Sequence, residues 1–373
     1  MKINRIAIAM MFFICGVAIA SWASRIPLIQ EKLQINHAIL GTVLLAMPLG
    51  SLLTLPIAGW LTTRFKSRYL VIFSVLLSCA ILPLIAFSPS PFILGVVLFF
   101  FGFANDLLNI SVNTQAIAVE IEYKRPIMSA FHGMFSLGAM VGAAIGGIME
   151  EFQISLFVHF SSVWAFLSLL ALFYYRHLLR KDLAQQEGHP LFAKPDATLM
   201  GLGMIAFCVM VGEGAMADWS SVYLKQVLTS ASGLSTAGFT AFSFAMAMGR
   251  FGGDWLTVRF GAIRLLEING TTACVGMLLA LIFPYPVVII IGFSLVGLGL
   301  STGVPLVYSL AGRSKTMSAG VALAAVTTIG STGFLLGPPI IGFLAELLSL
   351  RIALGLIAIL TAMIVVLASK AKD

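Results

Sequence analysis

Long apolar runs alternate with short polar breaks along this chain. The runs cluster near the length of about 20 residues that a helix needs to cross a bilayer. Read on that basis, the pattern predicts twelve helical spans, at about 5–24, 38–60, 69–88, 91–119, 127–149, 155–175, 198–223, 234–255, 265–283, 286–310, 317–345 and 350–369. Proline-rich breaks, Ser88-Pro89-Ser90-Pro91 and Pro284-Tyr285-Pro286, predict two very short hairpins. The longest polar segment, 176–197, follows the sixth span and predicts a solvated linker between two sets of six. Its histidines, His177 and His189, are read as linker residues. The expected organisation is therefore 1–176, a linker at 177–197, and 198–373.

Composition supports the pattern. The chain is 60% hydrophobic and 10% charged, whereas a soluble domain keeps roughly a quarter of its residues charged. The net charge of +7 would suggest nucleic acid if it were gathered in one patch. Instead the basic residues fall in short loops between apolar runs, so no nucleic-acid partner is expected. Only Arg25, Lys32, Lys225 and Arg351, of 22 lysines and arginines, fall on the side opposite the termini. That bias predicts both termini in the cytoplasm and a multi-pass protein of the cell inner membrane. The basic start and first apolar run, ending at Ser21-Trp22-Ala23, imitate a secretory signal. The same residues recur later in the chain, which argues against that reading. Cys15, Cys79, Cys208 and Cys274 lie inside apolar runs and read as packing residues.

The two sets of spans repeat each other. AIASWAS (18–24) returns as AMADWSS (215–221), and WLTTRF (60–65) as WLTVRF (255–260). Gly138, Gly142 and Gly147 return 195 positions later as Gly333, Gly337 and Gly342. Parallel duplicated halves predict a pseudo-two-fold axis along the membrane normal and a substrate site between the halves near the midplane.

At these residues the chain resembles the major facilitator superfamily (MFS). GWLTTRFKSR (59–68) is similar to that family's motif between spans two and three, matching at Gly59, Leu61, Arg64 and Arg68, with Thr63 in place of its acid. The second copy, GRFGGDWLTVRFGAIR (249–264), keeps Arg250, Asp254, Arg259 and Gly261. SWASRIPLIQ (21–30), NTQAIAVE (113–120), RPIMSAFHGMFSLG (125–138) and EGAMADWSSVYL (213–224) resemble the fucose-permease-related branch and a group of prokaryotic permeases. The resemblance implies an all-α membrane protein, twelve helices in two pseudo-symmetric six-helix bundles, working by alternating access. Fucose-type permeases carry a carboxylate in the fourth span, four residues before an Asn. That frame places Asn109 at the acid's position and Asn113 at the Asn, and Asp106 is the nearest acid. Where those permeases have an acid late in the first span, this chain has Ala23 and, nearby, Arg25.

The candidate chemistry sits within the spans. At about 100° per residue, Asn105, Asp106, Asn109 and Asn113 share one face of the fourth span with Gly102, and Gln115 points elsewhere. An Asp at the centre of a span costs at least ~2.5–3.5 kcal/mol against lipid, so this face must meet another helix or a wet cavity. It is either an interhelical hydrogen-bond cluster or a binding and proton site. The amides are uncharged donors and acceptors suited to a polar, hydroxyl-rich or amide-bearing solute. The seventh span offers Glu213, between two glycines, and Asp218. Trp22 and Trp219 occupy matching repeat positions and read as outer-gate or stacking residues, or as interfacial anchors. Arg25 either snorkels or pairs with Asp218. His132 reads as a packing or interfacial residue rather than a proton relay. Arg64, Arg250, Asp254 and Arg259 are expected to form inner gating contacts, with Asp254 against the N-terminus of the fifth span near 127–129. Gly337-Pro338-Pro339 predicts a bend in the eleventh span.

Several functions are argued against. No GxxxxGK[ST] phosphate loop and no HExxH motif occurs. Gly330-Ser331-Thr332-Gly333 resembles a serine-protease stretch, but no His follows it. An enzyme is not expected, nor any cofactor or metal. The expectation is a monomeric secondary transporter of a small polar, sugar-like solute, moved with protons. The alternatives are a proton-driven exporter of amphiphilic compounds and a non-transporting membrane sensor.

Overall fold

In the computed structural model, residues 2–123, 127–180, 196–228, 233–314 and 317–370 are described. Among them every regular element is a helix. Lys124, Arg125 and most of the expected linker (181–195), with Lys181, His189 and Lys194, lie outside the described residues, as does the side chain of Thr63.

The first crossing is α1 (Lys2–Ala23), continued after a break at Ser24 and Arg25 by α2 (Ile26–Leu33). The second is α3 (His37–Leu44) followed by α4 (Ala46–Arg64). Then come α5 (Ser67–Ala86), α6 (Pro91–Tyr123), α7 (Met128–Glu151) and α8 (Leu156–Tyr175). The second set is α9 (Ala197–Val227), a 3-10 turn (Gly233–Thr236) leading into α10 (Ala237–Phe260), α11 (Ala262–Ile282), a crossing broken into α12 (Pro286–Leu300) and α13 (Gly303–Ala311), α14 (Ala319–Leu347) and α15 (Leu350–Lys370). Eleven of these crossings are long enough and contain a stretch apolar enough to span a membrane. The twelfth, α10, carries Arg250, Asp254 and Arg259, which dilute its apolar run. The protein is an all-α membrane protein of twelve crossings in two pseudo-symmetric six-helix bundles.

Local chemistry starts and stops the helices where the sequence breaks. Asn36 caps α3 by accepting from the Ile39 amide at 2.9 Å, and Asp196 caps α9 by accepting from Leu199 at 2.8 Å. Pro286 opens α12, where its missing N–H costs nothing. Gly261, at φ +78°, ends α10 in a conformation that side chains resist.

Side-by-side helices in lipid gain little from apolarity alone, so small residues set how closely they approach. α7 packs on α1, and α14 packs on α9. Gly138 faces the Phe13 carbonyl, and a methyl placed on Gly142 would meet the Val17 carbonyl at 2.6 Å. In the second bundle a methyl on Gly333 would meet the Phe207 carbonyl at 2.7 Å, and Gly337 faces Val211. The glycine repeat thus marks equivalent contacts in the two bundles. Pro338 and Pro339 both lie within α14.

We call the end bearing both chain termini proximal and the other end distal. Between the bundles α7 packs on α10 and on the 3-10 turn, and α14 packs on α3. Contact with α14 is extensive along α3 and marginal along α4. The bundles therefore meet closely at the distal end and part toward the proximal end on that side.

Candidate functional site

Along α6 the polar stripe lies where the helix leaves its neighbours. Asp106 and Asn113 are half-buried and Asn109 is exposed, next to Phe101, Leu108 and Val112, which are buried. Asn113 donates to the Asn109 side-chain oxygen at 2.6 Å and to its backbone carbonyl at 2.8 Å. Among the described residues Asp106 has no hydrogen-bond or ion-pair partner. Asn105 departs from the expected stripe. It is buried, donates to the Phe101 carbonyl at 2.8 Å, and meets Cys15 of α1, whose thiol lies 3.9 Å from its oxygen. Gln115 points away, as its helical phase requires. It bonds Ser67 at 2.6 Å and holds both the carbonyl and the amide of Leu179.

The second centre joins four elements. Glu213 of α9 and Arg250 of α10 form an ion pair at 3.3 Å, with side chains 19% and 10% exposed. The Arg250 guanidinium also donates to Ser136 Oγ at 2.7 Å and to the His132 carbonyl at 3.4 Å, both on α7 across the seam. Its Nε–H donates to the Ser301 carbonyl at 3.4 Å, a group left free by the break between α12 and α13. Ser129 Oγ–H in turn donates to the Arg250 carbonyl at 2.7 Å. A buried charge is tolerable when it is paired and its remaining donors are satisfied, and Arg250 meets that condition. Among the described residues, Tyr308 of α13 and His132 also lie within electrostatic reach of the pair.

Several expectations about the gates change. Arg250 contacts the first turns of α7 across the seam and is paired with Glu213, not with Asp254. Asp254, one turn on, is exposed. The amides of Ile127 and Met128 at the start of α7 donate to Glu120 Oε2, both at 2.8 Å, so Glu120 is the anion at that helix N-terminus. Arg64 and Arg259 are exposed and lie over their own helices' rings, Trp60 at 4.6 Å and Trp255 at 5.4 Å.

Arg25 is 1% exposed, so it does not snorkel. It does not pair with Asp218. Its guanidinium donates to the carbonyls of Ile154 at 2.6 Å and Gly146 at 3.4 Å, at the distal end of α7. Asp218 is half-buried and, among the described residues, without a partner. Trp22 and Trp219 are buried, and the Trp219 ring lies 6.1 Å from the His37 ring across the distal seam. His132 is a packing residue against Phe12, at 5.3 Å between rings.

The sequence reading missed the distal contacts. Lys225 pairs with Glu31 at 2.8 Å and Glu150 at 3.7 Å, and Ser235 bonds Glu150 at 2.8 Å. His37 lies 3.8 Å from Glu346 and 2.8 Å from Gln226. The available signal was an acid shortly after each repeated glycine, Glu151 after Gly147 and Glu346 after Gly342. Among the described residues no cluster of His, Cys, Asp and Glu could hold a metal.

Comparison with known proteins places this geometry. An uncharacterized MFS-type transporter of Yersinia pestis is 34% identical over 359 residues, covering 96% of this chain and 93% of its own. Membrane protein MosC of Rhizobium meliloti is 34% identical over 356 residues, covering 95% and 86%. Among solved structures, nucleoside transporter NupG superposes with a TM-score of 0.75 at 14% identity, covering 100% of this chain and 98% of its own. A bacterial homolog of the human lysosomal transporter Spinster, inward-facing and unoccupied, gives 0.75 at 14%, covering 98% and 95%. The Escherichia coli fucose:proton symporter FucP gives 0.65 at 17%, covering 98% of each chain. The sequence profile of the Major Facilitator Superfamily matches residues 6–319, and the chain belongs to that family of membrane transporters.

Proposed function

We propose that this transporter moves a small polar solute together with protons, by rocking 1–176 against 198–373 about the seam, with 177–197 as the cytoplasmic linker. The proximal end faces the cytoplasm of a bacterial-type inner membrane, following the basic bias of the loops. The state described is then closed outside and parting inside. The observation that carries the reading is Asp106. Among the described residues it is a carboxyl without a hydrogen-bond or ion-pair partner, about halfway along a membrane helix, beside Asn109 and the Asn113 amide that donates to Asn109. An acid there binds and releases protons, and the amides supply directional donors and acceptors for hydroxyl or amide groups. Glu213 offers a second protonatable group, whose protonation would loosen Arg250 from its own bundle while Ser136 and the His132 carbonyl hold it from the other.

The test is uptake from a 13C-labelled soluble metabolite extract into proteoliposomes under an imposed pH gradient, read by mass spectrometry. At least one polar metabolite should accumulate with the native protein and collapse with the gradient. Asp106→Asn and Glu213→Gln should each reduce gradient-driven accumulation at least about tenfold. Undiminished accumulation in both variants would end the coupling proposal.

A further inference from the structure

The distal seam is built from one motif used twice. On one side of the pseudo-two-fold axis, Glu151 Oε2 accepts the backbone N–H of Gly233 at 2.8 Å. The carbonyl of the same Gly233 presses on Gly147, so that a methyl placed on Gly147 would meet it at 2.7 Å. On the other side, Glu346 Oε2 accepts the backbone N–H of His37 at 3.2 Å. The carbonyl of the same His37 presses on Gly342, where a methyl would meet it at 2.6 Å. Gly147 and Glu151 precede Gly342 and Glu346 by the same 195 positions. Gly233 opens the eighth crossing and His37 the second, which are the corresponding elements of the two halves.

We propose that the distal end is shut by two copies of a single latch, in which a glycine and the carboxylate four residues after it grip the carbonyl and the amide of one residue across the seam. Each carboxylate meets the positive end of a helix that belongs to the opposite bundle. Each glycine lets the two backbones approach closely enough for that bond to form. Because the copies are related by the pseudo-two-fold axis along the membrane normal, they lie at the same end, and both release when that end opens. The flanking contacts differ. Glu150, Lys225 and Glu31 support one copy, and the His37 imidazole and Gln226 support the other. The shared core is the glycine–carboxylate pair. This inference rests on the alternating-access reading above but not on the solute or the coupling ion.

Gly147 and Gly342 touch the opposite bundle, whereas Gly138 and Gly333 touch their own. A methyl group therefore separates two effects. At Gly147 or Gly342 it wedges the seam open, and at Gly138 or Gly333 it disturbs one bundle and leaves the seam shut.

The experiment measures spin-label distances in nanodiscs between Gln34→Cys and Leu348→Cys, exposed positions on opposite sides of the distal seam, with Cys274→Ala removing the least buried native thiol. A second readout is the rate at which an impermeant maleimide, added to the distal side of sealed vesicles, alkylates Ala217→Cys, one turn distal to Glu213 on α9. Losing one capping carboxylate removes a helix-end charge contact and a hydrogen bond. Glu151→Ala and Glu346→Ala should therefore each raise the open-to-closed ratio and the alkylation rate by about fivefold to thirtyfold. The double variant should multiply the two factors. Gly147→Ala and Gly342→Ala should act in the same direction, and Gly138→Ala should not. Glu151→Gln and Glu346→Gln, which keep an acceptor, should show smaller shifts and stand in for any alanine variant that fails to fold. Unchanged distances and rates in all four latch variants would overturn the proposal, as would a response confined to one copy. Failure of proton-driven uptake in the native protein would leave both readouts intact, so the two proposals fail separately.

Discussion

Arg250 and Glu213 show what a single buried charge demands of its surroundings. Arg250 is saturated by one carboxylate, one hydroxyl and two carbonyls drawn from α7, α9 and the α12–α13 break. Removing one member of such a pair strands the other in a medium that solvates it poorly. Arg250→Met should cost about 3–5 kcal/mol of stability, measured by equilibrium unfolding in mixed SDS and dodecyl maltoside. Adding Glu213→Gln should recover part of that loss by removing the stranded charge. The remainder belongs to Ser136 and the carbonyls of His132 and Ser301. If the double variant is no more stable than Arg250→Met alone, the ion pair is not what stabilises the site.

At the scale of elements, close approach is the governing quantity. Gly142 faces the Val17 carbonyl and has no room for a methyl, whereas Gly252 on α10 has nothing within 4 Å. Gly142→Ala should therefore lower the thermal midpoint of the purified protein, while Gly252→Ala should leave it unchanged or raise it slightly by restricting the unfolded chain. A lower midpoint for Gly252→Ala would mean that this face is covered in the membrane. The crossings themselves were legible in the sequence because apolar length is a local property, and α6 and α14 each begin and end within a few residues of expectation. The glycine repeat was legible for the same reason. What a helix end touches is not local. Arg250 and Asp254 are one turn apart in the sequence, yet Arg250 is bonded to α7 across the seam and Asp254 is exposed. Glu120 was overlooked at the start of α7 because it lies across residues 124–126 from the amides it serves. Asn105 and Asp106 are neighbours in sequence and lie on facing and open sides of the same helix, a difference that only the position of α1 decides.

For the whole molecule, the closed distal end gathers charge into one place. Lys225 of the second bundle sits between Glu31 and Glu150 of the first. Lys225→Glu would set three carboxylates together, and like charges at that range repel. The distal spin-label distance between positions 34 and 348 should lengthen in that variant, and the shift should shrink as salt rises from 0.05 M to 0.5 M, because these groups are partly exposed. A salt-independent shift would point to packing and away from charge.

The clasp of Gln115 on Leu179 has a consequence for how the halves are tethered. Gln115 takes both the amide and the carbonyl of Leu179, and Asn4 takes the carbonyl of His177 at 2.9 Å. The strand leaving the sixth crossing is thus moored to α6 and α1 before it sets out for the second bundle. In the proposed rocking, residues 177–179 move with the first bundle. Cutting the chain before His177 would therefore free a segment that Gln115 and Asn4 hold to the first bundle.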